Sequence, residues 1–278
     1  MGDRKIETAA LNQMGIVASE LGRHGPARDY YRQALQSARA TNDRALESGV
    51  LNNLGDTERY LGNYGAALEL LQAGLKVCRE IGQRMSESYM LCNLAWVAQA
   101  RGDLPESLAW AGQAMPLARQ VKDRDLEASI LCTQGHALAA NGQADEANVA
   151  YRESLAIFRE IGRPSLQPEP LAGLAQVALA SGAVAEAQAH VAEIVAHFDA
   201  GGNVDGTEDP MWIYLTCHQV LAAAGSPRAA EFLAGAHILL MEHAESLAGA
   251  ERETFLGNVP THRAIETAWE ATQPALSQ

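Results

Sequence analysis

The chain has 278 residues, of which 34 are acidic and 21 basic, for a net charge of −13. An acidic body repels phosphate backbones, which argues against direct nucleic-acid binding. No stretch is apolar for long enough to span a membrane, and the first residues, MGDRKIETAAL, contain no apolar signal core, so the chain reads as soluble and cytoplasmic.

Five glycines, Gly22, Gly62, Gly102, Gly142 and Gly182, recur 40 residues apart. Gly15, Gly55, Ala95, Gly135 and Ala175 keep the same step, as do Ala27, Ala67, Ser107, Ala147 and Ala187. So strict a period marks one supersecondary unit stacked repeatedly. Such arrays offer long binding surfaces rather than catalytic pockets. No GxxxxGK[ST], GxSxG or other catalytic constellation occurs, and the chain is read as a non-enzyme.

Taken in chain order, each unit predicts two helices. The starts are marked by Asp3-Arg4, Asp43-Arg44 and Asp123-Arg124, with Glu7, Glu47 and Glu127 one turn on. The third unit keeps Arg84 and Glu87 but has Gln83. An aspartate caps a helix N-terminus and a first-turn glutamate complements its dipole, with the Arg–Glu pairs expected in solvent. In the second unit, apolar residues at helical spacing predict a helix from Arg44 to about Leu61, a break at Gly62-Asn63, and a second helix from Tyr64 to Ile81 closed by Gly82. In the third unit Pro116 is expected to kink the second helix. After the fourth unit, Pro164, Pro168 and Pro170 are expected to resist helix and delay the next start. The segment Gly201–Asp209 is expected to be a loop. The resulting division is five repeats over 3–200, an insertion loop with a divergent sixth pair over 201–250, and a C-terminal capping helix and tail over 251–278, with Phe255–Trp269 read as the cap. The first mark lies at residue 3, so the first helix is expected to leave Ile6, Ala9 and Ala10 partly bare and to offer a face for self-association.

The order of small and large residues within the unit resembles the tetratricopeptide repeat, W-x2-L-G-x2-Y followed by A-x3-F. Leu11, Met14, Gly15, Ala27, Tyr31 and Ala34 carry it in the first unit; Asn53, Leu54, Gly55, Ala67, Leu71 and Gly74 in the second; Gly135, Ala147, Tyr151 and Ser154 in the fourth. The closing proline of that motif is missing, and the period exceeds the common 34. The resemblance implies an all-α, right-handed superhelix of helix-turn-helix repeats. The 40-residue variety looks like the C-terminal sensor or scaffold arrays of large bacterial signalling ATPases and transcriptional activators, and the tail from Phe255 to Ile265 is similar to the closing segment of that group.

By the same resemblance the first helices line a concave face, which places Gln13, Asn53, Asn93 and Thr133 at equivalent inner positions. Asp56, Trp96 and His136 follow one turn on, with Arg59 and Tyr89 nearby. Asparagine carboxamides can bond both donors and acceptors of an extended peptide, or can bond one another across repeats. Trp96 can anchor an apolar side chain or fill the space between repeats. The basic clamp of chaperone-binding relatives is absent, its positions being Ala9, Ile16, Ser129 and Thr133. The implied partner is a protein or peptide segment in the groove; a small-molecule sensor and an oligomerisation scaffold are the alternatives. No cofactor and no metal are expected. Cys78, Cys92, Cys132 and Cys217 show no CxxC or zinc spacing and read as core thiols. His190, Glu193 and His197 share a helix face but lack HExxH and read as solvated.

Overall fold

The computed structural model describes residues 2–272; the Asp3 side chain and residues 273–278 of the expected tail lie outside the described residues. Among the described residues there are fourteen α-helices and no strand, as the periodicity requires. They pack as two compact units, one formed by residues up to 122 together with 242–259, the other by 123–241 with 260 onward.

The first unit contains α1 (Gly2–Glu20), α2 (His24–Ala40), α3 (Arg44–Tyr60), α4 (Tyr64–Ile81), α5 (Arg84–Ala100) and α6 (Leu104–Val121). These helices pack as consecutive pairs, each pair also touching the next. The intra-pair turns explain the glycine period, because Gly22, Gly62 and Gly102 have φ of 69°, 77° and 80°. That left-handed backbone is cheap only for glycine. The second glycine series has a different cause. A Cβ placed on Gly15 would meet the Tyr31 ring at 2.5 Å, and one on Gly55 would meet Leu71 at 2.7 Å. There the small residue in the first helix lets a large residue of the second lie directly against its backbone. Pro116 is accommodated inside α6, which runs unbroken from Leu104 to Val121.

The helix starts show one difference from expectation. Asp43 does cap α3, its carboxylate accepting from Leu46 N at 3.1 Å. Glu7 is exposed as expected, but the later first-turn glutamates are buried rather than solvated, Glu47 at 6% exposure and Glu87 at 5%. Each is held by its own helix and by the preceding one. Arg44 Nη1 donates to Glu47 Oε2 at 2.6 Å and Arg39 Nε to Oε1 at 2.9 Å; Arg84 and Arg79 treat Glu87 the same way at 2.9 and 2.8 Å. The arginine at the end of each pair closes over the glutamate, so the charge is covered by its partners and not by water.

The second unit opens with α7 (Arg124–Ala140), α8 (Ala144–Glu160), α9 (Pro168–Ala180), α10 (Val184–Asp199) and α11 (Pro210–Ala223). Here Gly135 and Gly173 both face the Tyr151 ring, so one tyrosine fills the space left by two helices. The proline-rich stretch departs from expectation. Pro164 opens a short 3-10 turn, but Pro168 and Pro170 lie in the first turn of α9. A helix's first N–H groups have no intrahelical acceptor, so proline loses nothing there. Residues 201–209 carry no helix, and Asp209 then caps α11 through Trp212 N at 2.9 Å.

α12 (Ala229–Glu245) contains the boundary between the units, and α13 (Ala250–Asn258) and α14 (Pro260–Thr272) divide between them. The segment Phe255–Trp269 is therefore not one capping helix. Pro260 cannot donate and forces Val259 into an extended conformation with ψ of 120°, which ends α13. In the first unit α13 packs on the turns of the first two helix pairs: Phe255 is buried, Arg28 Nη2 donates to Glu251 Oε1 at 2.5 Å, and Asn258 Nδ2 reaches Gly62 O at 3.4 Å. In the second unit Thr261 Oγ1 donates to Asp209 Oδ2 at 2.9 Å and Trp269 stacks on His237 at 4.3 Å.

Candidate functional site

The inner row of the first unit is built on α1, α3 and α5. Helical spacing brings Asn12 and Gln13, Asn52 and Asn53, and Asn93 to corresponding levels, and the asparagines join in a ladder. Asn93 Nδ2 donates to Asn52 Oδ1 at 3.1 Å, Asn52 Nδ2 to Asn53 Oδ1 at 3.5 Å, and Asn53 Nδ2 to Asn12 Oδ1 at 3.2 Å. All four asparagines are half-buried, while Gln13 is exposed. The sequence named Asn53 and Asn93 but not Asn12 and Asn52, which hold them.

One turn further, Asp56 is half-buried and accepts from Arg59 Nε at 2.9 Å and from Nη2 at 2.8 Å. Arg59 is itself buried, its guanidinium 4.2 Å from the Tyr60 ring centroid and 5.4 Å from that of Trp96. Trp96, at 8% exposure, is thus an interior wall behind Arg59, whereas Tyr89 stands 38% exposed on α5. The row offers carboxamides, one tyrosine and a neutralised Asp–Arg pair. Between the turns of the first two helix pairs and α13 lies a cleft of about 620 Å³ lined by Arg28, Arg32, Glu58, Asn63, Glu251 and Thr254 among others. Its two arginines are already occupied, Arg28 by Glu251 and Arg32 by Glu58 at 3.1 Å.

In the second unit Thr133 is fully buried and donates to Ser129 O of its own helix at 2.9 Å, so it is a packing position. His136 is buried between rings, edge-on to Trp212 at 4.7 Å and to Tyr151 at 5.3 Å. Its Nδ1 lies 2.9 Å from the Tyr151 hydroxyl. Burial drives the Tyr151 phenol far above its ordinary pKa, with further effects from Cys132 and Glu169, so that hydroxyl stays protonated. On its other side His136 Nε2 lies 3.6 Å from Cys132 Sγ and 3.6 Å from Glu169 Oε1. Glu169 escaped the sequence because its proline-rich surroundings read as non-helical; the i, i+4 spacing of Cys132 and His136 was legible. The other histidine cluster is dispersed: His197 Nε2 bonds Asn203 O at 2.7 Å, Glu193 pairs with Arg159 at 2.5 Å, and His190 Nε2 is 4.0 Å from Glu186. No described helix is long and apolar enough to cross a membrane.

A search among curated proteins found no match. Among solved structures, the chain is similar to a Rap protein complexed with Competence and Sporulation Factor, at 16% identity and a TM-score of 0.70 over 96% of this chain and 77% of that one. NprR in complex with its cognate peptide NprX matches at 16% identity and a TM-score of 0.67, again over 96% and 77%. A signal transduction ATPase with numerous domains and a tetratricopeptide repeat sensor, from Pyrococcus horikoshii, matches at 16% identity and a TM-score of 0.59; the match covers 84% of this chain but only 36% of that protein. Tetratricopeptide-repeat family models match residues 8–44, 46–120 and 85–160, together more than half of the chain. Glycine turns, the glycine–tyrosine contact and these matches agree: the chain belongs to the tetratricopeptide-repeat family.

Proposed function

We propose that the chain is a non-catalytic module of a cytoplasmic regulator and binds a protein or peptide segment along α1, α3 and α5. The observation that carries this reading is the asparagine ladder. A carboxamide has two donor hydrogens and a doubly accepting oxygen, so the bond from Asn93 to Asn52 leaves capacity for a peptide backbone on both. The ladder fixes the rotamers beforehand, which lowers the entropy cost of binding. Gln13, Asn53, Asp56 and Asn93 would contact the main chain, Tyr89 would cover an apolar side chain, and Arg59 and Trp96 would support them from behind. His136 and Thr133 hold the equivalent positions in the second unit, where both are buried. The fold neighbour in complex with its cognate peptide supports this choice of ligand class.

The test is selection of binders from a random peptide library, followed by titration of the enriched sequence. Tyr89→Ala and Asn93→Ala should each weaken binding about tenfold, the loss expected for a contact of about 1.4 kcal/mol. Val149→Ser, at an exposed position of α8, should leave binding unchanged. Enrichment of peptides indifferent to both groove variants would overturn the reading.

The cleft near Arg28 and Arg32 favours a second reading, that of a small-molecule sensor. Its volume of about 620 Å³ lies within the usual range of ligand sites, about 300–1,000 Å³. An anionic ligand there would have to displace Glu251 or Glu58, and Glu251→Gln should then raise its affinity.

A further inference from the structure

We propose that Cys132 and His136 of α7, with Glu169 of α9, form a binding site for a divalent transition metal such as zinc. The three groups are buried, at 3%, 7% and 5% exposure, and their ligand atoms all lie within 4.8 Å of one another. A buried thiol, imidazole and carboxylate gathered at one point need an explanation, because a buried carboxylate without hydrogen bonds is costly. Glu169 Oε2 is satisfied, accepting from Glu208 N at 3.0 Å. Glu169 Oε1, the oxygen aimed at the cluster, has no hydrogen-bond partner among the described residues.

The distances separate a metal shell from a direct ion pair. An imidazolium–carboxylate hydrogen bond would draw nitrogen and oxygen to about 2.7–2.9 Å. The observed Nε2–Oε1 and Nε2–Sγ separations are both 3.6 Å. Around a tetrahedral zinc, bonds of about 2.3 Å to sulfur and about 2.0–2.1 Å to nitrogen and oxygen hold neighbouring ligand atoms about 3.3–3.6 Å apart. The His136–Glu169 spacing therefore matches atoms arranged around a common centre more closely than atoms bonded to each other, while the His136–Cys132 spacing, which is also that of a weak thiol–imidazole hydrogen bond, fits either arrangement.

The outer contacts fit as well. A metal-bound imidazole is oriented by a hydrogen bond at its other nitrogen. Here His136 Nδ1 lies 2.9 Å from the Tyr151 hydroxyl, whose oxygen can accept from Nδ1–H and so leave Nε2 as the unprotonated, ligating nitrogen. The Glu208 amide fixes the second carboxylate oxygen in the same manner. Binding would release the Cys132 thiol proton, since the thiolate is the ligand. Three protein ligands leave the fourth tetrahedral position for water or an exogenous donor.

Cobalt(II) titration of the reduced full chain tests the site, because tetrahedral cobalt with a thiolate gives visible d–d bands and a near-ultraviolet sulfur-to-metal charge-transfer band. Both should saturate at one equivalent and be displaced by zinc. Cys132→Ser should abolish the charge-transfer band, and Cys217→Ser, which alters a buried thiol elsewhere in the same unit, should preserve it. Glu169→Gln should weaken cobalt binding at least tenfold, and Tyr151→Phe, a positioning change, about tenfold. Circular dichroism of each variant checks that the helices are retained. Zinc should raise the melting temperature of the parent chain and of Cys217→Ser but not of Cys132→Ser. Absence of the charge-transfer band in the folded parent, or its equal loss in Cys217→Ser, would overturn the proposal.

Discussion

At the scale of single residues, the same small side chain serves two unrelated purposes, and the structure separates them. Gly15 is required by a neighbour, because a methyl group there would enter the buried Tyr31 ring. Gly49, inside α3, has nothing within 4 Å of the place a Cβ would occupy. Alanine should thus act in opposite directions at the two sites. Gly15→Ala should destabilise by about 1–3 kcal/mol, the usual cost of overpacking, whereas Gly49→Ala should stabilise by about 0.5–1 kcal/mol by removing glycine's backbone entropy within a helix. Urea unfolding of both variants measures the contrast, and two changes of the same sign would refute the packing argument. The sequence displayed Gly15 as a periodic mark but could not say what stood against it. Asn12 and Asn52 show a related blind spot. They also recur at 40 residues, but the ladder joins residues 41 apart, from one register position to its neighbour in the next repeat. A reading confined to equivalent positions finds Asn53 and Asn93 and misses their partners.

At the scale of elements, the helix pairs were legible because each repeats its own period, turn glycine and cap. Their joints were less so. By spacing alone Glu47 is a solvated first-turn charge, yet α2 places Arg39 over it. Burial by itself raises the Glu47 pKa, but hydrogen bonds from Arg39 and Arg44 outweigh that effect and the net shift is downward. A carboxyl whose folded pKa is depressed contributes stability that is present above its unfolded pKa, about 4.3, and lost as the pH falls through the folded value. The joint between the first two helix pairs should therefore weaken below about pH 4.3. Glu47→Gln should cost about 1–2 kcal/mol at neutral pH, a buried-pair loss moderated by two half-exposed arginines. It should also flatten the dependence of melting temperature on pH in the acid range. A variant that loses stability with acid as steeply as the parent would show that Glu47 does not carry this dependence. The α9 start teaches a different lesson: three prolines signal a break, but only position within the first turn decides whether a proline ends a helix or opens one.

At the scale of the whole chain, the all-α repeat architecture could be read from the period, whereas contacts distant in sequence could not. No periodicity announces that Glu251 will pair with Arg28, or that Glu169 will meet His136. The bare face of the first helix is only partly legible in the sequence. Ile6, Ala9 and Ala10 are exposed, and the stripe extends further, through Met14 and Val17 to Leu21. Ile6 is 71% exposed and Leu21, the first residue beyond α1, 62%; spacings of three and four residues align Ile6 with Ala10, Met14 and Val17 along one side of α1. Apolar area left in water costs about 25 cal/mol per Å², which gives two copies of the chain a reason to pair through this helix. Self-association through α1 is the expected outcome, and it can be told from simple fraying. In a pairing chain, sedimentation should report a mass that rises with concentration, and amide exchange in α1 should slow in parallel. Met14→Lys should remove both effects, since an ammonium at the centre of the stripe would have to be desolvated twice in a symmetric pair. Exchange in α1 that is fast and independent of concentration would identify a frayed end, and the pairing expectation would be discarded.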